Sequence, residues 1–244
     1  MTEPTKLLKL PLEKSTEEIC KGLLVTAVEK LAEERDELKS ARIERILISA
    51  FSLFSHEGID AIAMTDIAKT AEIGVASLYR YFETKDEIAI RTAIWAWESH
   101  KKIILPILRE SDYENKKGRQ QLEEIFALFC KLYQNEPDFF RYIYFFDAYV
   151  VCQKIDAERL IPYQKVIQSV QQIIESAIHK GIEDASISSA YRNCEKQLYY
   201  SLMHTLFSTS QKLSLSSNML NMDKENNAVE QLKLLGEILS GGLK

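Results

Sequence analysis

The stretch Ile67-Ala68-Lys69-Thr70-Ala71-Glu72-Ile73-Gly74-Val75-Ala76-Ser77-Leu78-Tyr79-Arg80-Tyr81-Phe82 decides how the rest of the chain is read. Ile67 and Ala71 lie one helical turn apart, as do Leu78 and Phe82, so each short segment carries one buried face. Small Ala68 and Ala71 let two helices cross closely, and Ile73 is placed to plug the space between them. Two short helices over 65–71 and 75–82, joined by Glu72-Ile73-Gly74, have helix-turn-helix geometry. With Leu78 and Phe82 turned inward, the second helix presents Val75, Ala76, Ser77, Tyr79, Arg80 and Tyr81. That mixture suits a nucleic-acid groove. Ala76 admits close backbone approach, Ser77 and Tyr79 donate to phosphate oxygens, and Arg80 pairs with a phosphate or a guanine edge. Lys85, near the start of the next helix, adds a cation beside free backbone N–H groups, which favours a phosphate there.

Working outward, residues 1–14 carry Pro4, Pro11 and three lysines, and read as a flexible basic arm. Ser15 and Glu18 have capping-box spacing, and Ile19, Leu23, Leu24, Val28 and Leu31 continue at helical intervals, predicting a helix over 16–38. Ser40 can cap a second helix bearing Ile43, Ile46, Leu47, Ala50, Phe51 and Phe54. With no Gly or Pro between Leu23 and Glu57, one continuous helix fits equally well. Further on, helical patterns cover 85–105 (with Pro106 as end or kink), 116–134, 137–153, 157–180, 187–213 and 226–240. Pro137 suits a first turn, Pro162 a start or kink, and Gly181 a C-cap. The Ser- and Asn-rich 214–227 reads as a loop. There is no period-2 strand pattern and no repeat, so the expected class is all-α.

The combination Asp66-Ile67-Ala68, Ala71, Ile73, Ser77-Leu78-Tyr79-Arg80-Tyr81-Phe82 and Lys85, preceded by the apolar helix from Ile43 to Gly58, resembles the DNA-binding domain of tetracycline-repressor (TetR) type regulators. The resemblance spans about 41–90. It implies an N-terminal three-helix DNA-binding domain and a C-terminal helical domain over 91–244 that binds an effector and dimerises, with 1–40 as an arm and extra helix. It also implies that Thr65, Val75, Ala76, Ser77, Tyr79, Arg80, Tyr81 and Lys85 stand at positions used against DNA. Three positions depart from the family pattern: Glu72 replaces a usual Gly, Gly74 a frequent Ser, and Ala63 a common Thr or Ser cap.

The charge balance limits the mode of DNA binding. The 244-residue chain carries 31 basic and 36 acidic residues, a formal −5, and 46% hydrophobic residues. Over 41–91 there are six bases and eight acids. Coating of nucleic acid by bulk positive charge is thereby excluded, and affinity must come from placement, dimerisation and the N-terminal lysines. No run of about 18 uncharged apolar residues exists, and the start lacks a signal-peptide core, so a cytoplasmic protein is expected. Cys20, Cys130, Cys152 and Cys194 form no C-x-x-C pair, and the four His are scattered; neither metal, cofactor nor disulfide framework is expected. No nucleophile-base pair or phosphate loop marks an enzyme.

Beyond about residue 105 the pattern is aromatic. Phe126, Phe129, Tyr133, Phe139, Phe140, Tyr142, Tyr144, Phe145, Phe146 and Tyr149 crowd two consecutive helices, which must be covered on several sides or line a cavity. Trp95, Phe126, Phe129, Tyr133, Phe140 and Tyr144 are the expected ligand contacts, with Asp147 or Glu98 orienting the ligand. The last two helices offer Leu198, Leu202, Leu206, Leu235 and Ile238 for a homodimer, which the resemblance implies as a four-helix bundle. The expected function is a ligand-responsive regulator, a repressor, that binds operator DNA as a homodimer and is released by a small apolar or amphipathic effector. The alternative is a constitutive DNA-binding or helical interaction protein without a sensor.

Overall fold

The computed structural model describes residues 16–110, 112–216 and 227–244, and among these there is no strand. The basic arm over 1–14, the Ser15 cap and most of the 214–227 loop lie outside the described residues. The choice between one and two N-terminal helices resolves as one: α1 runs unbroken over Thr16–Glu57. Ser40 is therefore helix interior and not an N-cap. α1 stops where Gly58, at φ 82°, donates its N–H to Phe54 O at 3.0 Å, a left-handed cap that glycine takes without steric cost.

The chain forms two units, 1–44 and 45–244. In the first, every described side chain over 30–42 is exposed, including Leu31 and Leu38. In the second, α1's apolar stripe is buried at Ile46, Leu47, Ala50 and Phe54. There follow α2 (Met64–Thr70), α3 (Val75–Tyr81), α4 (Lys85–Glu110), α5 (Gly118–Asn135), α6 (Pro137–Cys152), α7 (Ile161–Glu183), α8 (Glu195–Ser216) and α9 (Ala228–Gly241).

Several expected boundaries shift for identifiable reasons. α4 continues through Pro106 to Glu110 and does not end at 105. Tight 3-10 turns at Ala157–Leu160 and Ser189–Tyr191 take up residues that the periodicity assigned to the starts of α7 and α8. Gly181 is interior to α7 and is not its cap. A Cβ on Gly118 would collide with Ala177 O and the backbone of Gly181, so bare backbone at this crossing lets the start of α5 approach α7. The same junction caps α5 across the chain. Asp184 Oδ2 accepts from Gly118 N at 2.8 Å, and Ser186 Oγ accepts from Arg119 N at 3.1 Å, satisfying two amides that a helix start leaves open.

α5 packs on α7 and α9, and α6 packs on α8 and α4. Tyr142 of α6 is fully buried beside Phe54, its hydroxyl donating to Ala89 O of α4 at 2.6 Å. This pairing meets the requirement that a buried phenol find an acceptor and fixes α6 against the start of α4.

Candidate functional site

α2 and α3 cross as the sequence requires. Ile67, Ala68, Ala71, Leu78 and Phe82 are buried, with Ile73 half-buried between the helices. Ala71 N donates to Ile67 O at 2.9 Å and Ile73 N to Ala68 O at 3.0 Å, closing α2 into the turn. Glu72 holds φ 53°, the left-handed region in which a side chain costs about 1–2 kcal/mol and glycine nothing. Gly74 is the N-cap of α3 at φ −67° and ψ 142°, with no side-chain cap bond. At α2, Ala63 N donates to Asp66 Oδ2 at 2.9 Å, so the return half of a capping box is present while Ala63 supplies no acceptor for the other half.

The outward face of α3 is available. Val75, Ala76, Tyr79 and Arg80 are exposed, Ser77 and Tyr81 half-buried, and Thr65 is exposed on α2. Arg80 Nη2 donates to Ser77 Oγ at 2.8 Å, which holds the guanidinium along the helix. Lys85 Nζ donates to the carbonyls of Ile59 (3.0 Å), Asp60 (3.2 Å) and Ile62 (3.2 Å), committing all three ammonium protons to the segment after α1. In this DNA-free structure the ammonium ties the α1–α2 connection to the start of α4.

The start of α4 is also tied to α6 and to the segment after it. Asp86 Oδ1 accepts from the Tyr149 hydroxyl at 2.7 Å, and its Oδ2 from Arg159 Nη1 at 2.8 Å. Burial alone would raise the Asp86 carboxyl, but these two hydrogen bonds and the positive charges of Arg159 and Lys85 hold it below the ordinary carboxylate value. Gln153 Nε2 donates to Asp60 Oδ1 at 3.0 Å beside them.

Two adjoining cavities among the C-terminal helices share lining residues. A groove of about 630 Å³ opens between α7 and α8, with Trp97 of α4 and Ile143 and Asp147 of α6 in its wall. A smaller, wholly apolar cavity of about 80 Å³ lies among α4, α5, α7 and α8, and shares Trp97, Val170, Met203 and Phe207 with the groove. Asp147 is exposed at the groove, yet the surrounding walls partly desolvate its carboxyl and lift it to about 6, with a weak opposing bond from Gln211 Nε2 at 3.4 Å.

Several of the aromatic ligand contacts expected from sequence serve packing instead. Trp95 meets Phe51 edge-on at 5.7 Å, and Phe140 is fully buried beside Tyr133 at 5.6 Å. Phe126 lies beside Gly236 of α9 and lines a cavity of about 370 Å³ between α5 and α9, and Tyr144 is exposed next to Phe145. Glu98 is engaged by Lys101 at 2.8 Å. Phe129 and Asp147 do line cavity walls. The sequence reading missed Trp97 and the α8 stripe of Tyr200, His204, Phe207 and Gln211, which was visible as an i, i+4, i+7, i+11 pattern on a different face from Leu198, Leu202 and Leu206.

The expected dimer stripe needs a parallel correction. Leu202 and Leu206 are buried within the chain and Leu198 is half-buried, so their apolar surface is already used. Leu235 is half-buried, while Ile238 is 61% and Leu234 57% exposed, one turn apart on α9. Of the expected stripe Ile238 is thus exposed, and its exposed apolar neighbour is Leu234 rather than Leu235.

Residues 46–92 match the family of bacterial regulatory proteins of the TetR type. Over 70 residues the chain is 33% identical to IcaR, the HTH-type negative transcriptional regulator of the biofilm operon icaADBC in Staphylococcus aureus; the match takes in 29% of this chain and 38% of that protein. Among solved structures, the fatty acid degradation regulator FadR of Bacillus halodurans superposes with a TM-score of 0.63 at 15% identity, over 83% of this chain and 96% of that one. FadR of Bacillus subtilis, solved with stearoyl-CoA, gives 0.59 at 17% identity, over 82% and 99%. A TetR regulator from Haloarcula marismortui gives 0.62 at 14%, over 84% and 98%. No helix among the described residues is long and apolar enough to cross a membrane. The helix-turn-helix built by α2 and α3 and the match at 46–92 together make this segment a TetR-type helix-turn-helix domain, within a fold that most of the chain shares with solved regulators of that type.

Proposed function

We propose that the chain is a dimeric transcriptional repressor that reads operator DNA with α3 and releases it when a small amphipathic molecule enters the α7–α8 groove. The observation that carries this reading is the exposed face of α3, where Val75, Ala76, Tyr79 and Arg80 stand clear of a fully packed inner face. Small residues next to an aromatic hydroxyl and a guanidinium suit close approach to a major groove, with Ser77, Tyr81 and Thr65 at its margins. One seven-residue helix reads few base pairs, so useful specificity needs two copies. The exposed Leu234 and Ile238 on α9 supply an apolar face for that pairing. Repression is supported by the name of the S. aureus relative, and a lipid-like effector by the stearoyl-CoA held in the B. subtilis structure.

α6 provides the route between the two sites. It presents Ile143 and Asp147 to the groove, while Tyr142 and Tyr149 bond to Ala89 and Asp86 of α4. A ligand that shifts α6 acts directly on the helix that follows α3, and it releases DNA only by favouring one α4 position over another. Binding of a labelled duplex carrying the DNA upstream of the gene, with wild type, Arg80→Ala and Tyr79→Ala, tests the reading. Specific binding by wild type and its loss in both variants is expected. Retained specific binding in both would refute α3 as the reader, and binding that no small molecule weakens would leave a constitutive DNA-binding protein.

A further inference from the structure

The chemistry of the α7–α8 groove defines the charge of what it accepts, an inference that rests on the effector reading above. Its wall carries the rings of Trp97, Tyr163, Tyr199, Tyr200 and Phe207. Within that aromatic wall stands one carboxylate, Asp147, and no Lys or Arg is among the lining residues. Aromatic faces are negative at their centres and attract cations, and more strongly where water is excluded. The Asp147 carboxylate has a weak partner in Gln211, at 3.4 Å, and is partly desolvated, a state that an incoming positive charge relieves. His204 is the other ionisable group that faces the groove with the tyrosines, and it brings no negative charge to the wall.

We infer that the groove binds a lipophilic organic cation, a hydrophobic amine or quaternary ammonium, with its charge between Asp147 and the tyrosine rings and its apolar part directed past Trp97, Val170, Met203 and Phe207 into the adjoining apolar cavity. The shared lining residues make the two cavities neighbours, and the smaller one is wholly apolar. An anionic head group, such as the phosphates of an acyl-CoA, meets no base here and a carboxylate instead. Binding it would set like charges together in a partly desolvated site.

Three probes with the same decyl chain separate the possibilities: decyltrimethylammonium, decanol and decanoate, each titrated as monomer into the full-length protein by calorimetry, with tryptophan emission followed in parallel. Trp95 and Trp97 are the chain's two tryptophans, so emission reports on the groove wall. The cation is expected to bind at least about tenfold more tightly than the alcohol, with decanoate weakest. Asp147→Asn, which keeps the shape, is expected to bring the cation down to the level of the alcohol. Gln211→Lys, which places an ammonium beside an intact Asp147, is expected to do the same. Equal or tighter binding of alcohol or decanoate, or a cation preference unchanged in both variants, overturns the inference while the effector reading stands. Failure of all three probes to bind or to change DNA affinity counts against both.

Discussion

The Tyr149 hydroxyl donates to Asp86 across 2.7 Å, joining α6 to the first turn of α4. The same carboxylate takes Arg159 on its second oxygen, and Lys85 Nζ lies 5.9 Å from the Tyr149 ring. Three elements thus meet at the residue that follows Lys85, itself tied to the α1–α2 connection. Tyr149→Phe removes one charge-assisted bond from a partly buried carboxylate and is expected to cost about 1–2 kcal/mol in urea unfolding. Because the bond lies on the route proposed between groove and α3, the variant should also show a smaller ligand-induced loss of DNA affinity. Equal coupling in variant and wild type would remove this bond from the path.

Lys85→Ala is expected to act on the fold before it acts on DNA. Three carbonyls at 59, 60 and 62 lose their donor, so unfolding should become easier by roughly 1–3 kcal/mol. DNA affinity should fall through displacement of the α1–α2 connection, with the salt slope of binding little changed. A slope lower by about 0.9 would instead support the direct phosphate role read from the sequence.

The turn offers two substitutions that improve on the present residues. Glu72→Gly removes a left-handed side chain and is expected to stabilise the protein by about 1 kcal/mol, while also taking an acidic group from beside the α3 face and so tightening DNA binding. Gly74→Ser adds an N-cap acceptor where a Cβ meets nothing within 4 Å, worth a few tenths of a kcal/mol. Thermal unfolding of the two single variants checks both signs.

Acid acts on two partly desolvated groups in opposite directions. Burial lowers His100 from 6.5 to about 4, against a smaller raising effect of the Ala96 carbonyl. The unfolded chain therefore binds more protons there, and stability falls as pH drops from about 6.5 toward 4. Asp147 is raised from 3.8 to about 6, so the folded chain binds more protons there and gains stability over the same descent. His100→Leu should flatten the acid loss, and Asp147→Asn should steepen it below about pH 6. Chemical denaturation across that range tests the pair; identical profiles for wild type and both variants would contradict these environments.

Gly118→Ala forces a methyl group against the backbone of α7 at Ala177 and Gly181, and is expected to destabilise by about 1–3 kcal/mol. A variant as stable as wild type would show that α5 and α7 can part there without cost.

The helix-turn-helix was legible because its information is local. Ile67, Ala71, Leu78 and Phe82 bury one another within sixteen residues, and the turn residues speak for themselves. The length of α1 was not, since Ser40 caps or continues a helix equally well and no breaker decides. The bonds of Lys85 to the α1–α2 connection were not legible, because its three carbonyl partners lie 23 to 26 residues earlier, beyond any periodic signal. The cavity walls were misplaced for a related reason. Aromatic density on α5 and α6 says that those helices are covered on several sides, but which rings pack and which border open space depends on α7 and α8. Likewise Leu202 and Leu206 form a sound amphipathic stripe, and only the neighbouring helices show that it is spent inside the chain.

The central claim is that two copies of this chain read a symmetric DNA site through α3. Selection of duplexes from a random-sequence pool by the full-length protein, followed by sequencing and determination of the number of chains bound, tests it most directly. The account predicts an inverted repeat whose half-site centres lie about one helical turn apart, roughly 34–36 Å, bound by an even number of chains and no longer enriched by Arg80→Ala. Enrichment of no sequence by a folded dimer, or of an asymmetric site bound by one chain, would contradict it.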